Sequence, residues 1–193
     1  MACPKIKIDW SFVLQESIIR SNYDAKKLEN FKKKMEKEFL QNRQLIFQFL
    51  SKYANLSWNQ KQINIWIFEG KHRSIPNPLL LNVYDYDLDF CMFEFVHMLV
   101  HNIFQDNKIY DFFEKDGQID EIELEAFTYL ITKKIAINLF LKEEVVRLIK
   151  KAEEEGFRKY IWDRVTGLEK EIDLKNESVI KILKKEYKKV KSL

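Results

Sequence analysis

Cysteine, glycine and proline are all scarce in this sequence. The 193 residues include two cysteines, four glycines and three prolines. Two cysteines cannot build the disulfide framework of a small secreted protein, so we expect a reducing compartment. Tight hairpins depend on glycine, Asn-Gly and proline, and their scarcity therefore favours helices over a turn-rich β protein.

Long hydrophobic runs are also missing. No stretch of about 18 apolar residues is free of charge, and the N-terminus has no apolar leader core. Apolar residues make up 46% of the chain and charged residues 33%, which is typical of a globular protein. We therefore expect a soluble cytoplasmic protein with no membrane partner. The sequence has neither a glycine-rich phosphate loop nor a Gly-x-Ser-x-Gly motif, which argues against P-loop nucleotide chemistry and serine-hydrolase chemistry.

Basic residues are scarce in the middle of the chain. Between residues 85 and 130 there are twelve acids but only Lys108 and Lys115, although the whole chain has a formal net charge of +3. This acidic centre would attract cations. The flanks are basic, above all after Lys181, but they lack a groove-reading motif and so support a nucleic-acid partner only weakly.

Hydrophobic periodicity predicts an α+β fold dominated by helices. Isoleucine recurs at every second position over residues 63–68, and residues 79–84 form a second short strand, which together indicate a small sheet within about 60–84. Helical spacing is found on both sides of it, over about 9–20, 24–53, 87–105, 120–141, 143–155, 157–165 and 178–191. We expect N-terminal helices over 1–58, a core over 59–142 and a helical extension over 143–193, in one compact domain.

A polar stripe runs along the apolar helix of about 87–105. Glu94, His97, His101 and Gln105 fall within an arc of about 80° on a helical wheel, and nearly all of their neighbours are apolar. Buried polar groups must be satisfied, because each one left without a partner costs on the order of 1 to 3 kcal/mol. Histidines four residues apart on a helix can both bind one cation.

The next helix, about 120–141, supplies candidate third ligands. Glu121, Glu125, Thr128 and Thr132 form a second polar stripe, about 60° wide. Two consecutive helices thus bring polar side chains towards one neighbourhood, and we predict a divalent-metal site there. The alternative is a pair of buried histidines that are hydrogen-bonded to Glu94, Glu121 or Glu125 without a metal.

At these residues the sequence resembles a family. Residues 93–104, which contain His97 and His101, and residues 121–130, which contain Glu125 followed by Ala126, resemble the gluzincin-type zinc metallopeptidases. They are most similar to the small intracellular ImmA/IrrE-like group. The resemblance covers about residues 60–135 and implies a zincin-like core, with His97, His101 and Glu125 as zinc ligands. It also implies that residues 79–84 form an edge strand lining a peptide cleft.

Met98 departs from the family pattern. It stands directly after the first histidine, where the family has its catalytic glutamate, and a thioether cannot exchange the protons of peptide hydrolysis. A degenerate member without peptidase activity is the interpretation that we favour. Alternatively Glu94, one helical turn earlier, supplies the base, although its Cα is displaced by about 6 Å along the axis.

Glu94 could instead be a metal ligand. Glu-x-x-His is the spacing found in diiron carboxylate proteins, so a set of Glu94, His97, His101 and Glu125, with Glu121, would suit iron or manganese as well as zinc. The function that we expect is a metallopeptidase-like protein acting on, or binding, a protein or peptide. The alternative is a non-enzymatic regulatory protein that uses its scaffold and basic helices for protein or nucleic-acid contacts.

Overall fold

The computed structural model describes residues 4–12, 14–19, 23–70, 74–76, 78–115, 118–154, 159–175 and 181–183. Five longer helices dominate this part of the chain: α1 (Ala25–Ala54), α2 (Leu88–Asp106), α3 (Glu121–Leu139), α4 (Lys142–Glu154) and α5 (Lys159–Lys175). The strands are β1 (Lys5–Asp9), β2 (Gln62–Phe68), β3 (Ile75–Pro76), β4 (Leu79–Asn82), β5 (Glu114–Lys115) and β6 (Gln118–Ile119). The predicted helix-dominated α+β class is confirmed.

Four strands form a mixed sheet in the order β1, β2, β4, β3. β2 runs parallel to both β1 and β4, and β3 pairs antiparallel with β4. Two sequence-based expectations are therefore wrong. The segment 1–58 is not purely helical, because β1 belongs to the sheet, and β4 is not the edge strand, because it lies between β2 and β3.

The strand β1 was not recognised in the sequence, because its alternation of apolar and polar residues is too short. Only Ile6 and Ile8 are apolar in this five-residue run, and only Ile8 is fully buried. Its hydrogen-bonding partner is β2, more than fifty residues later in the chain, with Ile6 opposite Ile63. Local periodicity carries no information about such a partner. After β1 the chain forms a short π-helical stretch, Leu14–Ile19, inside the predicted helix of about 9–20.

Aspartate side chains cap the three long helices. Asp24, Asp87 and Asp120 each accept a hydrogen bond from a backbone N–H in the first turn, at 2.9, 3.0 and 3.2 Å. Such a cap satisfies one of the donors that an α-helix leaves free at its start. The predicted helix starts near these residues are confirmed.

The helix α2 is the centre of the molecule. Every residue from Phe90 to Phe104 is buried, and α2 packs against α1, α3, α4 and the sheet. The helices α3 and α5 are joined at the surface by ion pairs between Arg164 and Glu123 and between Lys133 and Glu169. None of the described helices is long and apolar enough to cross a membrane. Of the predicted final helix, 178–191, only residues 181–183 are described.

Candidate metal centre

The start of α2 is held in place by charge. The Asp87 carboxylate caps the helix and also accepts hydrogen bonds from Arg147, at 2.8 Å, and from Lys151, at 3.1 Å, both on α4. Burial would raise the pKa of Asp87, but these partners and the Phe90 N–H outweigh it and hold that pKa well below its usual range. The helix that carries the histidines is therefore anchored at its first turn.

The two histidines lie deep in the protein. His97 is 5% exposed and His101 is 2% exposed, and their Nε2 atoms are 3.1 Å apart. The four-residue spacing places both rings on the side of α2 that packs against α3.

Glu125 on α3 completes a compact group of three side chains. Its Oε2 lies 3.4 Å from His97 Nε2, and its Oε1 lies 3.2 Å from His101 Nε2. One ligand atom from each of these three side chains can be chosen so that all three lie within 4.8 Å of one another. The predicted convergence of the two polar stripes is confirmed at these three residues.

The spacing of these side chains suits a tetrahedral cation site. Zinc binds histidine nitrogen and carboxylate oxygen at about 2.0 to 2.2 Å, so two of its tetrahedral ligands lie about 3.3 to 3.6 Å apart. The two Nε2 atoms are 3.1 Å apart, and each histidine nitrogen lies 3.2 to 3.4 Å from its nearer Glu125 oxygen, which is close to these separations. Two imidazoles and a carboxylate suit zinc, and they also suit iron or manganese.

The charge states of the group favour a cation. Burial lowers the pKa of His97 despite its contact with Glu125, which keeps the imidazole neutral and its nitrogen available as a ligand. Burial would raise the pKa of Glu125, but hydrogen bonds from His101 and His97 outweigh it and hold that pKa well below its usual range. A neutral His97 nitrogen and the negative charge of Glu125 both suit a bound cation.

Two tyrosines set the orientation of the histidine rings. The His97 ring stacks on Tyr129, with ring centres 4.1 Å apart. The hydroxyl of Tyr110 lies 2.7 Å from His101 Nδ1, the nitrogen on the far side of the ring from Glu125. Burial and the Glu125 charge raise the pKa of Tyr110 above its usual range, so it stays a neutral phenol. Neither tyrosine was predicted from the sequence to belong to the site. Only Tyr110 could have been suspected, because it lies in the acidic loop after α2.

Two other predicted site residues are not part of this group. Glu121 lies in the first turn of α3 with its side chain exposed, one turn before Glu125. Glu94 is buried on α2 and is also not among the converging ligands. Thr128 and Thr132, in the same stripe as Glu125, donate their hydroxyls to carbonyls of α3 itself. The structure therefore selects Glu125 from the candidate carboxylates.

Met98 is packed in the hydrophobic core. It is 1% exposed and belongs to the main core cluster with its neighbours Leu99 and Val96. The position that follows His97 is therefore filled by an apolar side chain out of contact with water. Nothing at this position can donate or accept a proton.

Comparison with known protein families, curated proteins and solved structures finds no match for this chain. The resemblance to gluzincin-type peptidases consequently stays a prediction from residues 93–104 and 121–130. What is established independently of it is the geometry of His97, His101 and Glu125.

Proposed function

We propose that this chain is a metallopeptidase-like, metal-binding protein that holds one divalent cation, zinc in the first instance, at His97, His101 and Glu125. One observation carries the proposal: inside the protein the Nε2 atoms of the two histidines lie 3.1 Å apart, and each lies 3.2 to 3.4 Å from an oxygen of the Glu125 carboxylate. Three protein ligands leave a fourth tetrahedral position for water or substrate, as in catalytic rather than structural zinc sites.

According to this proposal, the chain binds the metal but does not hydrolyse peptides. A zinc ion in such a site polarises a peptide carbonyl and activates water for attack on it. The protein must still accept a proton from that water and return one to the leaving amine, and Met98 can do neither. Glu94, buried and outside the ligand group, does not replace that function. Binding of a peptide or protein without turnover is the function that remains.

The metal content of the wild-type protein tests the proposal. Protein purified without a polyhistidine tag is expected to carry about one equivalent of transition metal by elemental analysis. Removal of the metal by a chelator and saturation with zinc should then change the melting temperature by about 10 °C, because a ligand at a thousand times its Kd stabilises by about 4 kcal/mol.

The competing interpretation makes the opposite prediction. If His97, His101 and Glu125 are only a hydrogen-bonded cluster, the protein contains no stoichiometric metal, and zinc leaves the melting temperature unchanged. Either result decides between a metal centre and a structural polar cluster.

Tyr110 should tune the affinity for the metal. When Nε2 of His101 binds a cation, its Nδ1 carries the proton and donates to the tyrosyl oxygen, which fixes the ring. Tyr110→Phe removes this acceptor and is expected to weaken zinc binding by about 10- to 100-fold, the usual effect of losing such a partner. Competition with a fluorescent zinc chelator measures the change.

Tyr53→Phe is the matched control for Tyr110→Phe. Tyr53 stacks on Phe49 near the end of α1 and takes no part in the metal centre. Its variant should bind zinc like the wild type. Equal affinities for Tyr110→Phe and Tyr53→Phe would exclude a role for the Tyr110 hydroxyl.

A further inference from the structure

A second candidate site lies on the opening turns of α1. A pocket of about 330 Å³ is formed there between the helix and Tyr86, which precedes α2. His97 and His101 lie more than two turns further along α2, so this pocket is separate from the metal centre. Its volume is at the lower end of the range for small-molecule pockets.

Three lysines line this pocket. Lys26, Asn30 and Lys34 recur every four residues and therefore form one line on the helix surface. Among the described residues, neither Lys26 nor Lys34 makes an ion pair. The neighbouring face of α1 is different, because Lys32 and Lys33 both pair with Glu29, at 3.8 and 3.9 Å.

The one acidic residue among those lining the pocket, Asp24, already accepts a hydrogen bond. Asp24 caps α1 by accepting a hydrogen bond from the Lys27 backbone N–H. With Lys26, Lys27 and Lys34 as the cations, the lining keeps an excess of positive charge. A cluster of ammonium groups that repel one another is stabilised by an anion placed between them.

The wall of the pocket is a fixed aromatic ring. Tyr86 meets Phe31 edge to face, with ring centres 5.2 Å apart, and donates its hydroxyl proton to Glu69 at 2.5 Å. Lys27 Nζ lies 3.8 Å from the centre of the Tyr86 ring. Asp85 and Tyr86 have φ angles of 58° and 61°, a left-handed conformation that is unfavourable for two successive non-glycine residues.

We propose that this pocket binds a small phosphate-bearing molecule of about nucleotide size. Lys26 and Lys34 pair with the phosphate oxygens, Lys27 adds charge, and the Tyr86 edge packs against the organic part of the ligand. An ammonium group is a common point-charge partner of phosphate. Lys26 and Lys34 are eight residues apart, about 12 Å along α1, a length that fits a small phosphate-bearing molecule and is short for a nucleic-acid strand. This inference does not depend on the proposed metal centre.

Calorimetric titration with ATP in metal-free buffer tests the pocket. Lys26→Gln/Lys34→Gln removes two charges without removing any described contact, and it should weaken ATP binding by about tenfold or more. The matched control is Lys33→Gln/Lys37→Gln, which removes the same charge from the same helix outside the pocket, and it should bind ATP like the wild type. Melting temperatures check that both variants are folded.

Inorganic phosphate, adenosine and a single-stranded oligonucleotide complete the comparison. ATP should bind more tightly than phosphate or adenosine, because only ATP uses both the lysines and the ring. The proposal is overturned if the wild type shows no binding at about 1 mM ATP, or if the two double variants weaken binding equally. It is also overturned if the oligonucleotide binds more tightly than ATP and loses affinity in both double variants, which would indicate a nucleic-acid surface along α1.

Discussion

Replacement of Met98 by glutamate should raise the peptidase activity of this chain above that of the wild type. The substitution puts a carboxylate directly after His97, at the place where the resembling peptidases carry their general base. General acid–base catalysis contributes about 10²- to 10⁴-fold to a rate, so a gain of that order over wild type is expected. Cleavage of a disordered fluorogenic protein substrate by the zinc-loaded variant is the measurement.

Met98→Gln is the matched control for this gain. Glutamine matches the size of the glutamate side chain and can form hydrogen bonds, but it cannot exchange a proton at neutral pH. Both variants place a polar group where Met98 is 1% exposed, so both are expected to lower the free energy of unfolding. Activity in Met98→Glu but not in Met98→Gln or the wild type would show that the chain is a peptidase that has lost its catalytic base. Wild-type activity that is lost in Glu94→Gln would instead make Glu94 the base and contradict the proposal.

Removal of the Glu125 charge should abolish stoichiometric metal binding. Glu125→Gln keeps the shape of the side chain but loses the anionic ligand that contacts both histidines. Loss of an outer partner already costs about 10- to 100-fold in metal affinity, so loss of a direct ligand should cost at least about a hundredfold. Elemental analysis and zinc titration measure the effect.

Glu121→Gln provides a control on the same helix. Glu121 lies one turn earlier on α3, is exposed and is not in the ligand group. Its variant should retain the metal content of the wild type. If the two variants lose metal equally, the assignment of Glu125 as the ligand is incorrect, and the general acidity of the region would be the cause.

The sequence predicted which two helices carry the candidate site. His97 and His101 share a face because of the helical repeat, and the Asp87 cap marks where that helix begins. Helical periodicity alone could not choose among the carboxylates, because Glu94, Glu121 and Glu125 all lie on suitable stripes, and only the family resemblance pointed to Glu125. Only the packing of α3 on α2 brings Glu125, rather than Glu121, to the histidines.

The fold was predictable to a similar degree. Strong periodicity located the long helices and the strand β2, since these patterns depend only on neighbouring residues. The position of β4 inside the sheet was not predictable, because strand order depends on pairings between distant segments. The same holds for Tyr110, whose hydroxyl reaches His101 only after the chain has turned back beyond α2.

The scarcity of cysteine, glycine and proline, the helical periodicity and the aspartate caps by themselves determined a helix-dominated α+β protein with two histidines on a buried helix. Tertiary structure alone decided three further points: that β1 joins the sheet, that Glu125 lies beside both histidines, and that Met98 is buried in the core. The physical reason is the range of the interactions. Periodicity and capping act over a few residues, whereas sheet order, ligand convergence and burial depend on contacts between segments that are remote in the chain.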